Sequence, residues 1–293
     1  MNGPTFAAMS IREFTTELAT GLQGIYPEPE CEAIAALATE YLLGLDPLQR
    51  RMHSQEAVDP AVAARLPELL RRLQAHEPVQ YVLGVAHFAG MELEVSLATL
   101  IPRPETEELV ALVARDWVGR TGLRLLDVGT GSGCLVLALA QALQPAQALA
   151  VDISEAALAV AQRNGGRFAP QVQFQQLDIL REVPPVVAGT LDILVSNPPY
   201  VRDSERSLMR ANVLDWEPAT ALFVPDHDPL LFYRRIGELG RNLLRPGGRL
   251  YFEINEAFGP ETVALLTSQG YATARAVQDM FGKARMVVAV NPA

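Results

Sequence analysis

The chain has 293 residues, of which 49% are apolar and 20% are charged. This composition excludes a disordered or low-complexity protein and supports one large core or two smaller ones. The formal net charge of −10 argues against a protein whose main partner is the phosphate backbone of a nucleic acid, and against a basic membrane-surface protein. The two cysteines, Cys31 and Cys134, match neither a metal site nor a disulfide framework. A cytoplasmic protein in a reducing compartment is therefore predicted.

Two stretches of the chain bear on membrane targeting. Residues 1–14 lack the apolar core of a secretory signal. Residues 125–143 are the most apolar long stretch, but they contain Asp127 and a run of glycine, serine and threonine, which excludes a membrane span. No membrane partner is predicted.

Residues 1–76 are predicted to form a small helical domain. Ser10 and Glu13 have the spacing of a capping box at a helix start, and apolar residues at helical spacing follow. A further helix is predicted to begin at Asp59-Pro60. Residues 1–77 carry 6 basic and 11 acidic side chains, so this domain offers no basic face to a nucleic acid.

Residues 77–100 are predicted to form a β-hairpin linker between two domains. Short strands are expected at 81–84, 86–88 and 91–95, because apolar and β-branched residues there are interrupted by glycines.

Residues 101–293 alternate between strand and helix patterns. The predicted strands are Arg124–Val128, Ala148–Asp152, Val172–Leu177, Asp192–Ser196, Arg249–Ile254, Ala272–Val277 and Met286–Val290. The predicted helices lie at about Leu135–Leu143, Glu155–Asn164, Leu230–Leu244 and Pro260–Ser268. Such a series predicts an α/β domain with a mainly parallel sheet that is covered on both faces.

A glycine-rich turn follows the first predicted strand of this domain. Gly129, Gly131 and Gly133 have the spacing G-x-G-x-G, and a turn of this kind lies at the carboxyl end of a strand, where open α/β sheets bind ligands. A dinucleotide fingerprint would need its third glycine where this chain has Cys134. The pattern of a P-loop is also missing from the sequence.

Acidic residues end the next two predicted strands. Asp152 has the position from which a carboxylate can accept hydrogen bonds from both ribose hydroxyls of an adenosine group. Asp178 could accept from an adenine amino group. A plain structural turn at each strand end remains the alternative.

The fourth predicted strand of the domain ends in the tetrapeptide Asn197-Pro198-Pro199-Tyr200. Two prolines remove backbone donors and stiffen the turn. What remains are acceptors, namely the Asn197 side-chain oxygen and the Pro198 carbonyl, beside the aromatic face of Tyr200. This set is suited to holding a planar NH₂ group by both of its hydrogens.

The glycine turn, Asp152 and the tetrapeptide together resemble class I methyltransferases that use S-adenosyl-L-methionine and methylate planar nitrogen. The segment Leu100–Glu107, with the sequence LIPRPETE, is similar to the hallmark of the HemK/PrmC family. Residues 77–84 and Glu217-Pro218 also fit that family's pattern. Its members methylate the side-chain amide nitrogen (N5) of the glutamine in the Gly-Gly-Gln (GGQ) motif of bacterial peptide chain release factors.

The resemblance implies a fold, a partner and a set of site residues. The fold is a class I methyltransferase domain with a seven-stranded, mostly parallel sheet, preceded by a small helical domain that would bind the release factor, the protein substrate. The implied catalytic residues are Asn197, Pro198 and Tyr200, and the implied substrate-binding residues are Asn197, Pro198, Pro199 and Tyr200. The implied S-adenosyl-L-methionine site comprises Asp127, Gly129, Thr130, Gly131, Ser132, Gly133, Asp152, Asp178, Ile179 and Asn197. No metal is expected.

Several interpretations stay open at this point. Glu105 and Glu107 are either ordinary carboxylates in a first helical turn or part of the cleft. Arg202, Arg206 and Arg210 recur every four residues and form either a solvated helix face or a contact for a protein substrate. The residues that depart from the family pattern are Asn255, Phe258 and Ala284, and they are expected to lie away from the cofactor and amide motifs.

Two other functions compete with methylation of a release factor. The same tetrapeptide would hold a flipped base in a methyltransferase acting on adenine or guanine in DNA or RNA, although the acidic charge argues against direct contact with nucleic acid. A module that binds S-adenosyl-L-methionine without catalysis is the second.

Overall fold

The computed structural model describes residues 9–292. Part of the segment 1–14, which was predicted to lack a secretory signal, therefore lies outside the described residues. The chain divides into two compact units between Gly84 and Val85. This division falls inside the segment 77–100 that was predicted as a linker.

The first unit is helical. Its described helices are α1 (Ile11–Gly21), α2 (Glu28–Leu43), α3 (Pro47–Met52), α4 (Pro60–Ala63), α5 (Leu66–Gln74) and α6 (Val79–Leu83). The predicted capping box is present at α1, where the Ser10 side chain and the Glu13 side chain each accept from the other's backbone N–H. Asp59 caps α4 through its side chain, with Pro60 in the first turn, as predicted. Phe14, Leu18 and Leu73 are fully buried in the core that these helices share.

The strand predicted at 81–84 is wrong, because this segment belongs to α6. The N–H groups of Tyr81 and Val82 both donate to the Pro78 carbonyl, and Gly84 ends the turn at a φ of 79°. A short apolar run reads equally well as a strand or as one helical turn. Here the flanking proline and the left-handed glycine favour the helical turn.

The second unit contains the sheet. Its strands are β1 (Val85–Phe88), β2 (Met91–Glu94), β3 (Arg124–Val128), β4 (Gln147–Asp152), β5 (Gln173–Gln176), β6 (Leu191–Ser196), β7 (Val201–Arg202), β8 (Phe223–Val224), β9 (Leu244–Glu253), β10 (Thr273–Gln278) and β11 (Ala284–Val290). Strands β1 and β2 form an antiparallel hairpin, and β7 pairs with β8. The other seven form one sheet in the order β10-β11-β9-β6-β3-β4-β5. In it, β11 pairs antiparallel with both β10 and β9, and the remaining pairs are parallel. This confirms the predicted fold class.

Helices cover both faces of the sheet. They are α7 (Pro104–Trp117), α8 (Cys134–Leu143), α9 (Glu155–Phe168), α10 (Ala211–Leu214), α11 (Ala219–Leu222), α12 (Leu231–Leu243) and α13 (Gly259–Ser268). Short 3₁₀ helices span Asp203–Leu208 and Glu256–Phe258. Because side chains alternate along a strand, Leu125 packs in the core with α7 and α8, whereas Leu126 packs in the core with α12 and α13.

The strand order places a ligand crevice between β3 and β6. The chain runs from β3 outward to β4 and β5, then returns to the other side of β3 to form β6. Loops that leave such neighbouring strands diverge, which opens a crevice at their carboxyl ends. The glycine turn follows β3 and the Asn197–Tyr200 tetrapeptide follows β6, so both lie at this crevice.

The arginines with four-residue spacing do not form a helix face, so that interpretation is wrong. Arg202 lies in β7, Arg206 in the 3₁₀ helix, and Arg210 precedes α10. The Arg206 guanidinium lies 3.5 Å from the ring centroid of Phe223. The three arginines therefore belong to different elements and do not share one continuous helix.

Among residues 9–292, no helix is both long enough and apolar enough to cross a bilayer.

Candidate active site

A cavity of about 340 Å³ lies at the crevice, within the size range of small-molecule sites. Its walls come from the ends of β3, β4 and β6 and from the loops that follow them. Predicted site residues that line it are Gly129, Gly131, Asp152, Asp178, Ile179, Asn197, Pro198 and Pro199. Apolar residues that were not predicted complete the walls, including Ile153, Leu177, Phe232 and Ile236.

The glycine turn is held in place by the next strand. The N–H groups of Gly129 and Thr130 donate to the Val151 carbonyl at 2.9 and 3.1 Å, and the Gly131 N–H donates to Asp152 Oδ2 at 2.8 Å. Gly129 and Gly131 have φ values of 74° and 55°, which other residues adopt only with strain. No heavy atom lies within 4 Å of a Cβ built at either glycine, so the cavity reaches the backbone itself.

The other predicted residues of this turn lie behind the cavity wall. Thr130 Oγ1 donates to Asp127 Oδ2 at 2.7 Å, and both residues are buried. Ser132 is buried as well, and its carbonyl accepts from Asn164. A Cβ at Gly133 would lie 3.2 Å from a Leu137 methyl group. These buried residues hold the glycine turn in its conformation from the side facing away from the cavity.

The buried carboxyl group of Asp127 is expected to make the free energy of unfolding depend on pH. Burial raises the pKa of its carboxyl to about 7. Because the folded state favours the protonated form, the stability that this group contributes is fully present below about pH 4 and is lost as the pH rises through about 7. Urea unfolding of the wild type and of Asp127→Asn should show a difference in unfolding free energy that changes by on the order of 4 kcal/mol over this window. A difference independent of pH would contradict this expectation.

Asp152 serves the turn and faces the cavity. Its Oδ2 accepts from Gly131 and its Oδ1 accepts from the Ser154 N–H at 2.9 Å. Burial raises the pKa of this carboxyl, and the backbone donors oppose that shift. A carboxylate has about four acceptor positions, so this group retains acceptor capacity for a ligand after closing the turn.

Asp178 and Ile179 follow β5 and form part of the same wall. Asp178 Oδ1 accepts from the Leu180 N–H at 3.0 Å, and Arg181 pairs with the carboxylate at 3.4 Å. Ile179 is buried, and its carbonyl accepts from Arg235 at 2.9 Å. These contacts fix the loop that presents both side chains to the cavity.

The tetrapeptide after β6 divides between the cavity and the protein interior. Asn197, Pro198 and Pro199 line the cavity, whereas the Tyr200 hydroxyl donates to Glu253 Oε1 at 3.1 Å. Burial and the nearby Glu253 carboxylate both raise the pKa of Tyr200. The tyrosine hydroxyl therefore stays protonated and acts here as a hydrogen-bond donor.

Within the segment 102–107, Thr106 contacts the tetrapeptide of the site. Thr106, in the first turn of α7, accepts a hydrogen bond from Asn197 Nδ2 at 3.3 Å and donates to Glu253 Oε2 at 2.7 Å. Glu107 instead accepts from the Ala89 N–H at the hairpin turn. Residues 102–107 are not among those that line the cavity, whereas Ala98 and Leu100 just before them are.

The start of α7 is attached to a later loop by an ion pair. Arg103 pairs with the buried carboxylate of Glu217, and the Ile101 N–H donates to Glu217 Oε2 at 3.3 Å. This contact fixes the entry of α7, and Pro218 next to it lines the cavity.

The family models matched by the chain are a PrmC N-terminal domain over residues 14–84 and a methyltransferase small domain over residues 107–215. The chain is 44% identical to the release factor glutamine methyltransferase of Bacteroides thetaiotaomicron, over 95% of this chain and 99% of that protein. It is 38% identical to the release factor glutamine methyltransferase of Flavobacterium psychrophilum, over 95% of this chain and 98% of that protein. The chain belongs to the release factor glutamine methyltransferase family. This confirms the predicted resemblance.

The fold of this family member also matches a solved structure at much lower identity. A crystal structure of a methyltransferase from Pyrococcus furiosus shares 18% sequence identity and a TM-score of 0.51, over 70% of this chain and 90% of that chain. This similarity supports the class I methyltransferase fold alone.

Asn255, Phe258 and Ala284 depart from the release factor glutamine methyltransferase pattern and were expected to lie away from the site. That expectation is wrong for Asn255. Asn255 Nδ2 donates to the Tyr200 carbonyl at 3.2 Å, so this residue supports the end of the tetrapeptide. The Phe258 ring lies 5.4 Å from the Arg202 guanidinium. Ala284 packs against Gly259, where an added Cβ would lie only 3.2 Å away.

Thr106 and Glu253 were not predicted as site residues of this family member. Glu253 ends β9, the parallel neighbour of β6, so an acidic residue at that strand end is a signal that the sequence carries. Thr106 gives no comparable signal, because its contact with Glu253 joins residues 147 positions apart. No cluster of three or more metal-ligating side chains occurs within residues 9–292.

Proposed function

We propose that this chain transfers a methyl group from S-adenosyl-L-methionine to the side-chain amide nitrogen (N5) of the glutamine in the GGQ motif of bacterial peptide chain release factors. The observation that carries this proposal is the Asn197 side chain at the cavity wall. Its NH₂ group is engaged by Thr106, so its oxygen is available to accept from a substrate NH₂ group. The identity to relatives named for this activity supports it.

The cavity residues fit the proposed cofactor. When bound, S-adenosyl-L-methionine supplies an electrophilic methyl group on a positively charged sulfur. The turn at Gly129 and Gly131 leaves backbone open to a ligand, and Asp152 would accept from ribose hydroxyls. Apolar side chains of Ile153 and Ile179 line the same cavity and would pack on the adenine ring.

The residues of the tetrapeptide would then act mainly by position. A glutamine amide nitrogen is a poor nucleophile, because its lone pair is delocalised into the carbonyl. Asn197 Oδ1 and the Pro198 carbonyl would accept its two N–H bonds and hold the nitrogen in line with the methyl group, which favours positioning and electrostatic fit over base catalysis. Tyr200 would support this geometry from the interior. Methyl transfer would break the S–CH₃ bond and release the demethylated thioether of the cofactor. The methylated nitrogen, acidic while it carries the positive charge, would then lose one proton to water.

The helical unit would bind the body of the release factor while the cavity receives the glutamine loop. The unit matches the PrmC N-terminal domain model over residues 14–84. A cytoplasmic location remains a prediction. Methylation of adenine or guanine in nucleic acid is disfavoured, since the formal net charge of −10 opposes phosphate contacts and the relatives carry release factor names.

The test is methylation of a full-length bacterial release factor in the presence of S-adenosyl-L-methionine, mapped by peptide mass spectrometry. We expect a mass gain of one CH₂ group on the GGQ glutamine. A synthetic peptide of the loop alone should react with a kcat/KM lower by at least about tenfold, because it lacks the remote contacts. Methyl incorporation into RNA or DNA instead would contradict the proposal, and equal kcat/KM for peptide and factor would refute the role of the helical unit.

A further inference from the structure

We propose that Thr106 and Glu253 are positioning residues that fix the orientation of the Asn197 amide, so that its oxygen and not its NH₂ group faces the substrate. This inference rests on the proposed function and extends it to two residues that touch neither substrate nor cofactor. It concerns the chain of hydrogen bonds from Asn197 through Thr106 to Glu253.

The direction of each hydrogen bond follows from the number of protons available. Burial raises the pKa of the Glu253 carboxyl, and the hydrogen bonds from Thr106 and Tyr200 and the charge of Arg285 oppose that shift by favouring the ionised form. The ionised carboxylate is an acceptor only, so Thr106 then donates its single hydroxyl proton to Oε2, at 2.7 Å. The Thr106 oxygen can then only accept, and Asn197 must present Nδ2 to it, at 3.3 Å. The Asn197 oxygen, the other terminal atom of the planar amide, is thereby left to act as the substrate acceptor.

The flipped orientation of the Asn197 amide is unfavourable both at its contact with Thr106 and at its contact with the substrate. Turning the amide over would place its oxygen against the Thr106 oxygen, so that two acceptors would face each other without a proton. It would also turn the NH₂ group toward the substrate's NH₂ group, where two donors would meet. The penalty is large because Thr106 is 2% exposed and Glu253 is 1% exposed, and water does not reach these atoms to compensate.

Glu253 is itself held in place. Its Oε1 accepts from the Tyr200 hydroxyl at 3.1 Å, and its backbone carbonyl accepts from the Tyr233 hydroxyl at 3.3 Å. Thr106 lies in the first turn of α7, where its N–H donates to the Arg103 carbonyl at 3.1 Å. Both members of the chain therefore sit on regular elements, which suits groups that must fix an angle.

A merely structural role would have a different signature. If Thr106 and Glu253 only satisfied each other as buried polar groups, their loss would lower stability and leave turnover per folded molecule unchanged. A positioning role lowers kcat on the release factor while cofactor affinity and folding are kept.

The experiment compares Thr106→Val, which keeps the shape and removes the hydroxyl, with Thr106→Ser, which keeps the hydroxyl. We expect Thr106→Val to lower kcat by about 10- to 100-fold and Thr106→Ser to stay within about threefold of wild type, with the S-adenosyl-L-methionine Kd unchanged for both. Thr262→Val is the matched control, because Thr262 is also fully buried and donates to the Phe258 carbonyl. It should alter the Tm without a comparable loss of kcat.

Glu253→Gln is the second variant and covers the case in which Thr106→Val fails to fold. A glutamine can present its NH₂ group to Thr106, which frees the hydroxyl proton to point at Asn197 and favours the wrong amide orientation. We expect a loss of kcat similar to that of Thr106→Val. Wild-type kcat in either folded variant, or equal losses in Thr106→Val and Thr106→Ser, would overturn the inference. If the wild type itself fails to methylate the release factor, the proposed function fails instead.

Discussion

Replacement of Asn197 by alanine is expected to lower kcat for release factor methylation by about 10²- to 10³-fold, the usual loss when one preorganised hydrogen-bonding group is removed from a reacting centre. Asn197 lines the cavity, and its amide is oriented by Thr106. Cofactor binding should persist, because the glycine turn and Asp152 are untouched. Steady-state kinetics and calorimetric titration with S-adenosyl-L-methionine measure the two effects separately.

Asn242→Ala is the matched control for this variant. Asn242 is exposed near the carboxyl end of α12, and its replacement should leave kcat unchanged. Retention of wild-type turnover by Asn197→Ala would show that the tetrapeptide does not hold the reacting group. Loss of turnover together with intact cofactor binding would also dismiss a module that binds the cofactor without catalysis.

Replacement of Phe252 by alanine is expected to lower the free energy of unfolding by about 3–5 kcal/mol, through lost burial and the cavity left behind. Phe252 lies in β9, is fully buried, and packs edge to face on Tyr233 with ring centroids 5.1 Å apart. Urea unfolding can be followed by the fluorescence of Trp117 and Trp216, the two tryptophans of the chain, both of which lie in the second unit.

Phe281→Ala is the control for Phe252→Ala, because it makes the same substitution at an exposed position. Phe281 is 72% exposed in the turn between β10 and β11, so its loss should change the unfolding free energy by no more than about 0.5 kcal/mol. Similar losses for the two phenylalanines would mean that the β9 position is not part of a tightly packed core.

The two central strands beside the site could be predicted because they are short apolar runs with clear ends. The run Leu125–Val128 is followed directly by glycines, and Leu191–Ser196 is followed by Asn-Pro-Pro. Such signals mark both the strand and its end. The glycine turn and the tetrapeptide were likewise visible, because each occupies consecutive positions next to a strand.

Short or interrupted segments could not be predicted in the same way. The four apolar residues of α6, Val79, Tyr81, Val82 and Leu83, carry no period that separates a helical turn from a strand. The arginines of 202–210 show a helical spacing, but the chain changes from strand at Arg202 to 3₁₀ helix and then to α-helix at Ala211. Their local pattern is overridden by the folding of the loop after β6.

The hydrogen-bond chain from Asn197 to Glu253 could not be predicted from the sequence, because it joins residues that are brought together only by tertiary packing. Thr106 gives no signal in its own segment, and the acidic residue at the end of β9 does not by itself indicate its partner. The contact between Thr106 and Glu253 forms because α7 packs against β9. The supporting contact of Asn255 with the Tyr200 carbonyl was also unexpected, since 55 positions separate the two residues.

The attachment of the glycine turn to β4 has a consequence for ligand affinity. The amides of Gly129, Thr130 and Gly131 already have partners in the protein, so the turn is ordered as part of folding. Binding then costs little conformational entropy at this loop, and more of the contact energy is retained as affinity. Slow hydrogen exchange at these amides in the absence of a ligand would show that the binding site is preorganised.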